Sequence, residues 1–196
     1  LAAAQTCSDI ILSTGMSTLE DVQGALAVLA FGYTNIPAKK PNSNLLDQAY
    51  NSAAGKTALN EKVTLLHCTT EYPASYDEVN LSAMDTLRDT FNLPVGYSDH
   101  TTGTLMSMLA TARGATIIEK HFTLDKNMAG PDHAASLEPP ELVKLVEDIR
   151  QVERSLGYKD KKPGANEEKN LPVVRKSLVA ARYVGRGEIF TEENLV

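Results

Sequence analysis

Only two cysteines, Cys7 and Cys68, stand in 196 residues, and no pattern of basic start, apolar stretch and small-residue cleavage site precedes them. Two thiols make no disulfide scaffold, and a reducing cytosol is the expected compartment. A basic excess is missing as well. Nineteen Lys and Arg face 25 Asp and Glu, for a net charge of -6, which leaves no electrostatic footprint for a phosphate backbone and makes nucleic acid an unexpected partner. Long apolar runs are absent: Ile10 to Leu12, and Val22 to Phe31 with its Gln and Gly, fall well short of the roughly 18 residues a membrane span needs. No segment is expected to cross a bilayer. The chain also opens without Met, at Leu1-Ala2-Ala3-Ala4, and enters an apolar run as though a helix had been cut, so a piece of a longer protein is expected.

What is present suffices for one sizeable core and a short extra piece, with 42% hydrophobic and 22% charged residues. Ile10-Ile11-Leu12 reads as a strand stopping at Ser13-Thr14-Gly15-Met16, followed by a helix with Val22, Leu26, Leu29 and Ala30 on one face. Ser17 and Glu20 have the capping-box spacing for its start. Residues 31 to 61 are polar, with Pro37, Pro41 and several Asn and Ser, and predict a surface insertion with a short helix. Val63 to Leu66 is the second strand, leading through His67-Cys68-Thr69-Thr70-Glu71-Tyr72-Pro73 to a helix with Asn80 as cap and Leu81, Met84 and Leu87 inward. Pro94 to Tyr97 is the third, and its helix runs from about Thr104 to a left-handed cap at Gly114. Ala115 to Ile118 is the fourth, and Pro139-Pro140 open a helix that ends at Gly157.

Four strand and helix units in series, with strands too apolar for a wet face, predict an α/β fold built on a parallel sheet covered by helices, spanning residues 1–157. Residues 158–170 read as a charged linker. In residues 171–196, Ser177 to Ala180 and Glu188 to Phe190 look like short strands of a small β-rich module that stops before it could bury a core.

Reactive groups in parallel α/β folds gather where strands end. His100 follows the third strand and His121 the fourth. Adjacent strands are about 4.8 Å apart, so the two imidazoles can share one ion, and with oxygen ligands they suit Mn, Fe, Co or Zn; alternatively each hydrogen-bonds a loop. Ser13 and Ser98 follow strands and could hold a phosphate or carboxylate, or act as caps. Tyr72 and Thr70 could bind polyol hydroxyls, or Tyr72 could pack beside Pro73. Asp132 stands in a turn, either as an Asx residue or as a member of the site. His67 is expected to be buried and hydrogen-bonded, His133 a loop residue, Lys39-Lys40 and Lys161-Lys162 exposed pairs, and Cys68 packed rather than reactive.

Leu12-Ser13-Thr14-Gly15-Met16, the segment from Leu66 to Pro73, Gly96-Tyr97-Ser98-Asp99-His100-Thr101, and Glu119-Lys120-His121-Phe122-Thr123 with Gly130-Pro131-Asp132 together resemble the sialic acid synthase family, which includes N-acetylneuraminate, legionaminate and pseudaminate synthases. Lys176 to Ala181 and Gly185 to Ile189 look like the opening of that family's C-terminal antifreeze-like (SAF) domain. The resemblance implies a (β/α)₈ TIM barrel that condenses phosphoenolpyruvate with an N-acetylhexosamine such as N-acetylmannosamine, releasing phosphate and a nine-carbon 2-keto acid. It also implies a homodimer for the complete protein. By position, His100 and His121 would hold a divalent metal, commonly Mn²⁺ with Mg²⁺ or Co²⁺ as substitutes. Ser13 and Ser98 would contact phosphoenolpyruvate, and Tyr72 and Asp132 the amino sugar; Thr70, a further substrate-binding candidate, stands where some members have Asn.

A full barrel takes about 250 residues, and only its last four β/α units are found here. The acidic residue and the phosphate-binding lysines of the family's N-terminal half have no counterpart, so the chain alone is expected to lack condensing activity. Two other readings remain at this stage: a noncatalytic half-barrel that assembles or binds metal, and another phosphoenolpyruvate-dependent aldol-type barrel enzyme.

Overall fold

A computed structural model describes residues 1–6, 8–34 and 40–196; Cys7 and Lys39 lie outside the described residues. The described chain forms two compact units, Leu1–Gly157 and Tyr158–Val196. In the first, a short helix α1 (Ala2–Gln5) leads to β1 (Ile10–Ser13), α2 (Leu19–Thr34), α3 (Ser43–Asn51), α4 (Ala53–Lys62), β2 (Val63–Cys68), α5 (Ala83–Phe91), β3 (Val95–Asp99), α6 (Leu105–Ala112), β4 (Ile118–Lys120) and α7 (Pro139–Leu156). All four strands are parallel, in the order β1-β2-β3-β4, with Leu12 beside Leu65, Leu65 beside Val95, and Tyr97 beside Ile118. The result is half of a barrel wall.

Strand alternation decides the core. Ile10, Leu12, Val63, Leu65, Val95, Tyr97 and Ile118 share one face and pack with Val22, Leu26 and Ala30 of α2, Met84 and Leu87 of α5, and Ala110 of α6. Each fully buried aliphatic side chain contributes roughly 1.5–3 kcal/mol. The opposite face differs from the expectation of a sheet dry on both sides. Ile11 is 56% exposed and Ser13 and Glu119 are exposed, all on the two edge strands, whereas Leu66 and Ser98 of the central strands on the same face are buried.

Helix α2 starts one residue later than the Ser17/Glu20 spacing suggests. Asp21 Oδ2 accepts from Thr18 N at 2.9 Å, and Asp21 N donates to Thr18 Oγ1 at 3.2 Å, so the reciprocal cap belongs to Thr18 and Asp21. The same helix continues to Thr34 with Phe31 buried, and the expected single short helix of the insertion is two, α3 and α4, joined at Ser52. Ala49 and Leu59 of that pair enter the core, which polar composition concealed. Helix α5 begins at Ala83 without a side-chain cap, and Asn80 serves through its carbonyl, which accepts from Ala83 N at 2.9 Å. Strand β4 lies three residues beyond its expected start, whereas Gly114 (φ +88°) ends α6 as expected and the Glu138/Glu141 capping box with Pro139 opens α7.

The second unit holds two single-turn helices, α8 (Ala165–Glu168) and α9 (Leu171–Val174), and an antiparallel bridge of Ala180 with Leu195. Val179 and Val196 exchange both backbone hydrogen bonds at 2.9 Å. The partner of the 177–180 segment is thus the chain end, not Glu188–Phe190, which forms no strand. Among the described residues no helix is long and apolar enough to cross a membrane.

Candidate active site

Period-two alternation sorts the residues at the ends of β3 and β4 by face. Asp99 and Lys120 are register partners on the helix side, where Ser107 Oγ of α6 donates to Asp99 Oδ2 at 2.6 Å. Ser98 and Glu119, one residue earlier, pair on the opposite face, and Ser98 Oγ donates to Glu119 Oε1 at 2.6 Å. His100 returns to that same side, with Nε2 3.2 Å from Ser98 Oγ.

The rings of His100 and His121 meet edge-on, 5.4 Å between centroids and 75° between planes. Tyr72, from the loop after β2, completes a cluster of three rings, 4.2 Å from His100 and 5.3 Å from His121. Backbone holds that loop in place: Ala74 N donates to the His100 carbonyl at 2.9 Å. Gly15, after β1, reaches the same loop. A Cβ there would come within 2.5 Å of Thr70 Oγ1 and 3.0 Å of Cys68 Sγ, so the two loops meet only because position 15 carries no side chain.

His100 Nδ1 lies 2.7 Å from the Thr69 carbonyl. A carbonyl only accepts, so Nδ1 carries the hydrogen and the neutral ring keeps its lone pair on Nε2. Ser98 gives its single hydroxyl proton to the nearer acceptor, Glu119, which leaves that lone pair unspent. This is the state in which an imidazole ligates a cation, its tautomer set by the carbonyl behind it. Among the described residues no group of three or more His, Cys, Asp or Glu side chains could hold a metal; His100 and His121 come together as a pair of rings.

A family model described as the NeuB family matches residues 1–161. The chain belongs to the NeuB family. It is 51% identical over 186 residues to an N,N'-diacetyllegionaminic acid synthase of Campylobacter jejuni, covering 95% of this chain and 48% of that protein. A second N,N'-diacetyllegionaminic acid synthase, from Legionella pneumophila, is 43% identical over 187 residues, covering 95% and 46%. Among solved structures, an N-acetylneuraminic acid synthetase from Leptospira borgpetersenii in complex with citrate superimposes with a TM-score of 0.61 at 31% identity, over 90% of this chain and 53% of that one. The NeuB-family chain spans about half the length of the curated relatives it matches.

In this NeuB-family chain the ring cluster gathers His100, His121 and Tyr72, with Ser98 Oγ 3.2 Å from His100 Nε2. Ser13 ends β1 opposite Leu66, two residues below the Cys68, Ser98 and Glu119 row. Thr70 is exposed beside Gly15. Asp132 precedes a 3₁₀ turn, His133–Ala135, and its carbonyl, not its carboxylate, makes the turn, accepting from Ser136 Oγ at 2.7 Å. The Asx arrangement is therefore not formed, and among the described residues no hydrogen bond joins its carboxylate to the rings. His67 faces the helices and donates through Nε2 to Val79 O at 2.8 Å, while His133 Nδ1 lies 2.8 Å from Thr123 Oγ1. Burial pushes the Cys68 thiol pKa up, away from reactivity.

Sequence reasoning missed Glu119. Its signal was available, since Ser98 and His100, like Glu119 and His121, are two apart and share a face. A cavity of about 850 Å³ opens beside the cluster, lined by Thr14, Ser17, His67, Thr69, Glu71 and Glu78 among others, but none of the three rings lines it. The Glu78 carboxyl there is raised chiefly by its hydrogen bond with Glu71.

Proposed function

We propose that this chain carries the metal-holding half of a nonulosonate synthase, which condenses phosphoenolpyruvate with an N-acetylhexosamine such as N-acetylmannosamine. The observation that supports the reading most is the 5.4 Å approach of the His100 and His121 rings at the ends of neighbouring parallel strands. These two side chains would hold a divalent cation, Mn²⁺ or in its place Mg²⁺ or Co²⁺. When bound, such an ion supplies Lewis acidity to a carbonyl oxygen of the substrate.

The chain's own residues do the rest of what this half contributes. Thr69 keeps the His100 tautomer and Ser98 keeps a proton directed at Glu119 Oε1. Ser98 and Ser13 would meet the oxygens of phosphoenolpyruvate. Tyr72, 49% exposed beside both imidazoles, would pack on the amino sugar, with Thr70 and Asp132 offering polar contacts from flanking loops. In the reaction, C3 of phosphoenolpyruvate bonds to the aldehyde carbon, water adds at C2, and the tetrahedral species loses phosphate by C–O cleavage.

In this reading β1 to β4 are the last four strands of a (β/α)₈ barrel, residues 158–170 are a linker, and residues 171–196 open an SAF domain. The complete synthase would be a cytoplasmic homodimer with neither nucleic-acid nor membrane partners. Condensation by the chain alone would be negligible, since the sequence holds no counterpart of the acidic residue and phosphate-binding lysines of the family's N-terminal half.

Titration with Mn²⁺, read by the electron paramagnetic resonance of the free ion, tests the reading. One saturable site is expected, weakened at least about tenfold by His100→Ala or His121→Ala with far-UV circular dichroism unchanged. No saturable site, or a titration indifferent to both substitutions, overturns it.

A further inference from the structure

Behind the two imidazoles lies a buried ion pair. Asp99 and Lys120, each immediately before one of the histidines, put Nζ 3.2 Å from Oδ2 with side chains 0% and 3% exposed. The pair is embedded in a closed set of hydrogen bonds. Asp99 Oδ1 accepts from Thr101 N at 2.9 Å and Thr101 Oγ1 at 2.7 Å, Oδ2 accepts from Ser107 Oγ at 2.6 Å, and Lys120 Nζ donates to the Thr101 carbonyl. Thr101 is therefore gripped at both its N–H and its C=O. His100, between Asp99 and Thr101, has its backbone fixed by that grip, and Lys120, which makes the grip on the other side, is the residue before His121.

The location gives this its meaning. The β3–β4 register ends at Asp99 opposite Lys120, so no further ladder pairing continues past the residues on which the two rings depend. Burying two charges costs several kcal/mol in desolvation, and apolar replacements of such pairs are often neutral or stabilising, so stability alone does not account for it. We propose that the Asp99–Lys120 ion pair is a positioning device, which sets the spacing of the His100 and His121 imidazoles by tying the strand ends together from the helix side. This rests on the reading of those imidazoles as a cation site, but the spacing itself is measurable without any metal.

The test uses the full chain and three variants. Lys120→Met leaves Asp99 buried and unpaired, and its folding is at risk. Asp99→Asn/Lys120→Met removes both charges while keeping volume and the two hydrogen bonds that Thr101 N and Oγ1 donate to residue 99, and gives up the bond from Lys120 Nζ to the Thr101 carbonyl. Lys120→Arg keeps the charge. In metal-free protein, nuclear Overhauser contacts between the His100 and His121 ring protons are the first readout, and Mn²⁺ affinity is the second. The double variant is expected to melt cooperatively, lose the ring-to-ring contacts and bind Mn²⁺ at least about tenfold more weakly, with Lys120→Arg recovering much of both. A folded double variant with unchanged ring contacts overturns the proposal, and so does a double variant that fails to fold, since the pair would then hold the fold rather than the site. If wild-type protein binds no Mn²⁺, the cation-site reading fails while the ring contacts still decide the positioning question.

Discussion

Tyr97 shows how much a single side chain can carry. Its phenol is buried against the core, and burial first, then the neighbouring Asp99 carboxylate, raise its pKa well above the ordinary 10.0. A raised pKa means the folded chain keeps a proton that the unfolded chain gives up. Stability is then fully present below about pH 10 and is lost as pH rises beyond it. Lys120 acts in the opposite sense, since burial lowers its pKa despite Asp99, but that contribution is common to wild type and a Tyr97 variant and cancels. Between about pH 10 and 11, urea unfolding of wild type should lose up to about 1.4 kcal/mol more than Tyr97→Phe. Parallel pH profiles would show that the phenol ionises freely in the fold. At this scale the two histidines were legible because each stands three residues past the end of an apolar run, at Tyr97 in one case and Ile118 in the other. Asp99 and Lys120 were not, because which residue ends a strand, facing helix or opening, depends on where the ladder stops, and β4 stops two residues later than its apolar pattern.

Helix α2 supplies the lesson at the scale of elements. Ser17 and Glu20, and Thr18 and Asp21, both satisfy the same spacing, and only hydrogen bonds choose between them. Thr18→Ala should therefore cost about 1 kcal/mol in chemical denaturation and Ser17→Ala almost nothing. Equal costs would return the cap to Ser17. Of the α7 residues expected to face inward (Leu142, Leu145, Val146, Ile149 and Leu156), only Leu145 is fully buried, and Val146 and Leu156 are exposed. The apolar faces of α2 and α5 were readable from period alone. Helices α3 and α4 were not, since each buries little more than one small stripe, Ala49 in one case and Leu59 in the other, under a polar majority.

For the whole molecule, the described core and the ring cluster lie within Leu1–Gly157, while Tyr158–Val196 is a separate compact unit. A chain ending at Gly157 should therefore melt within about 2 °C of the parent and bind Mn²⁺ within about twofold of it. A large loss of either would place part of the site's support in the later residues. Parallel order and strand count followed from the repeated strand, loop and helix pattern. That the edge strands leave Ile11, Ser13 and Glu119 of one face exposed did not, because an apolar strand looks the same whether its second face meets helices or a barrel's centre.

The open face has a consequence for selectivity. A crescent has two lips, here Ile10–Ser13 and Ile118–Lys120, and its hollow becomes a chamber only when something spans them. On the proposed reading, whatever spans them would bring the far wall that meets a sugar's distant hydroxyls and acyl groups. That far wall would share the choice of sugar with Tyr72, Thr70 and Asp132, whereas the grip on the cation would rest on His100 and His121 alone.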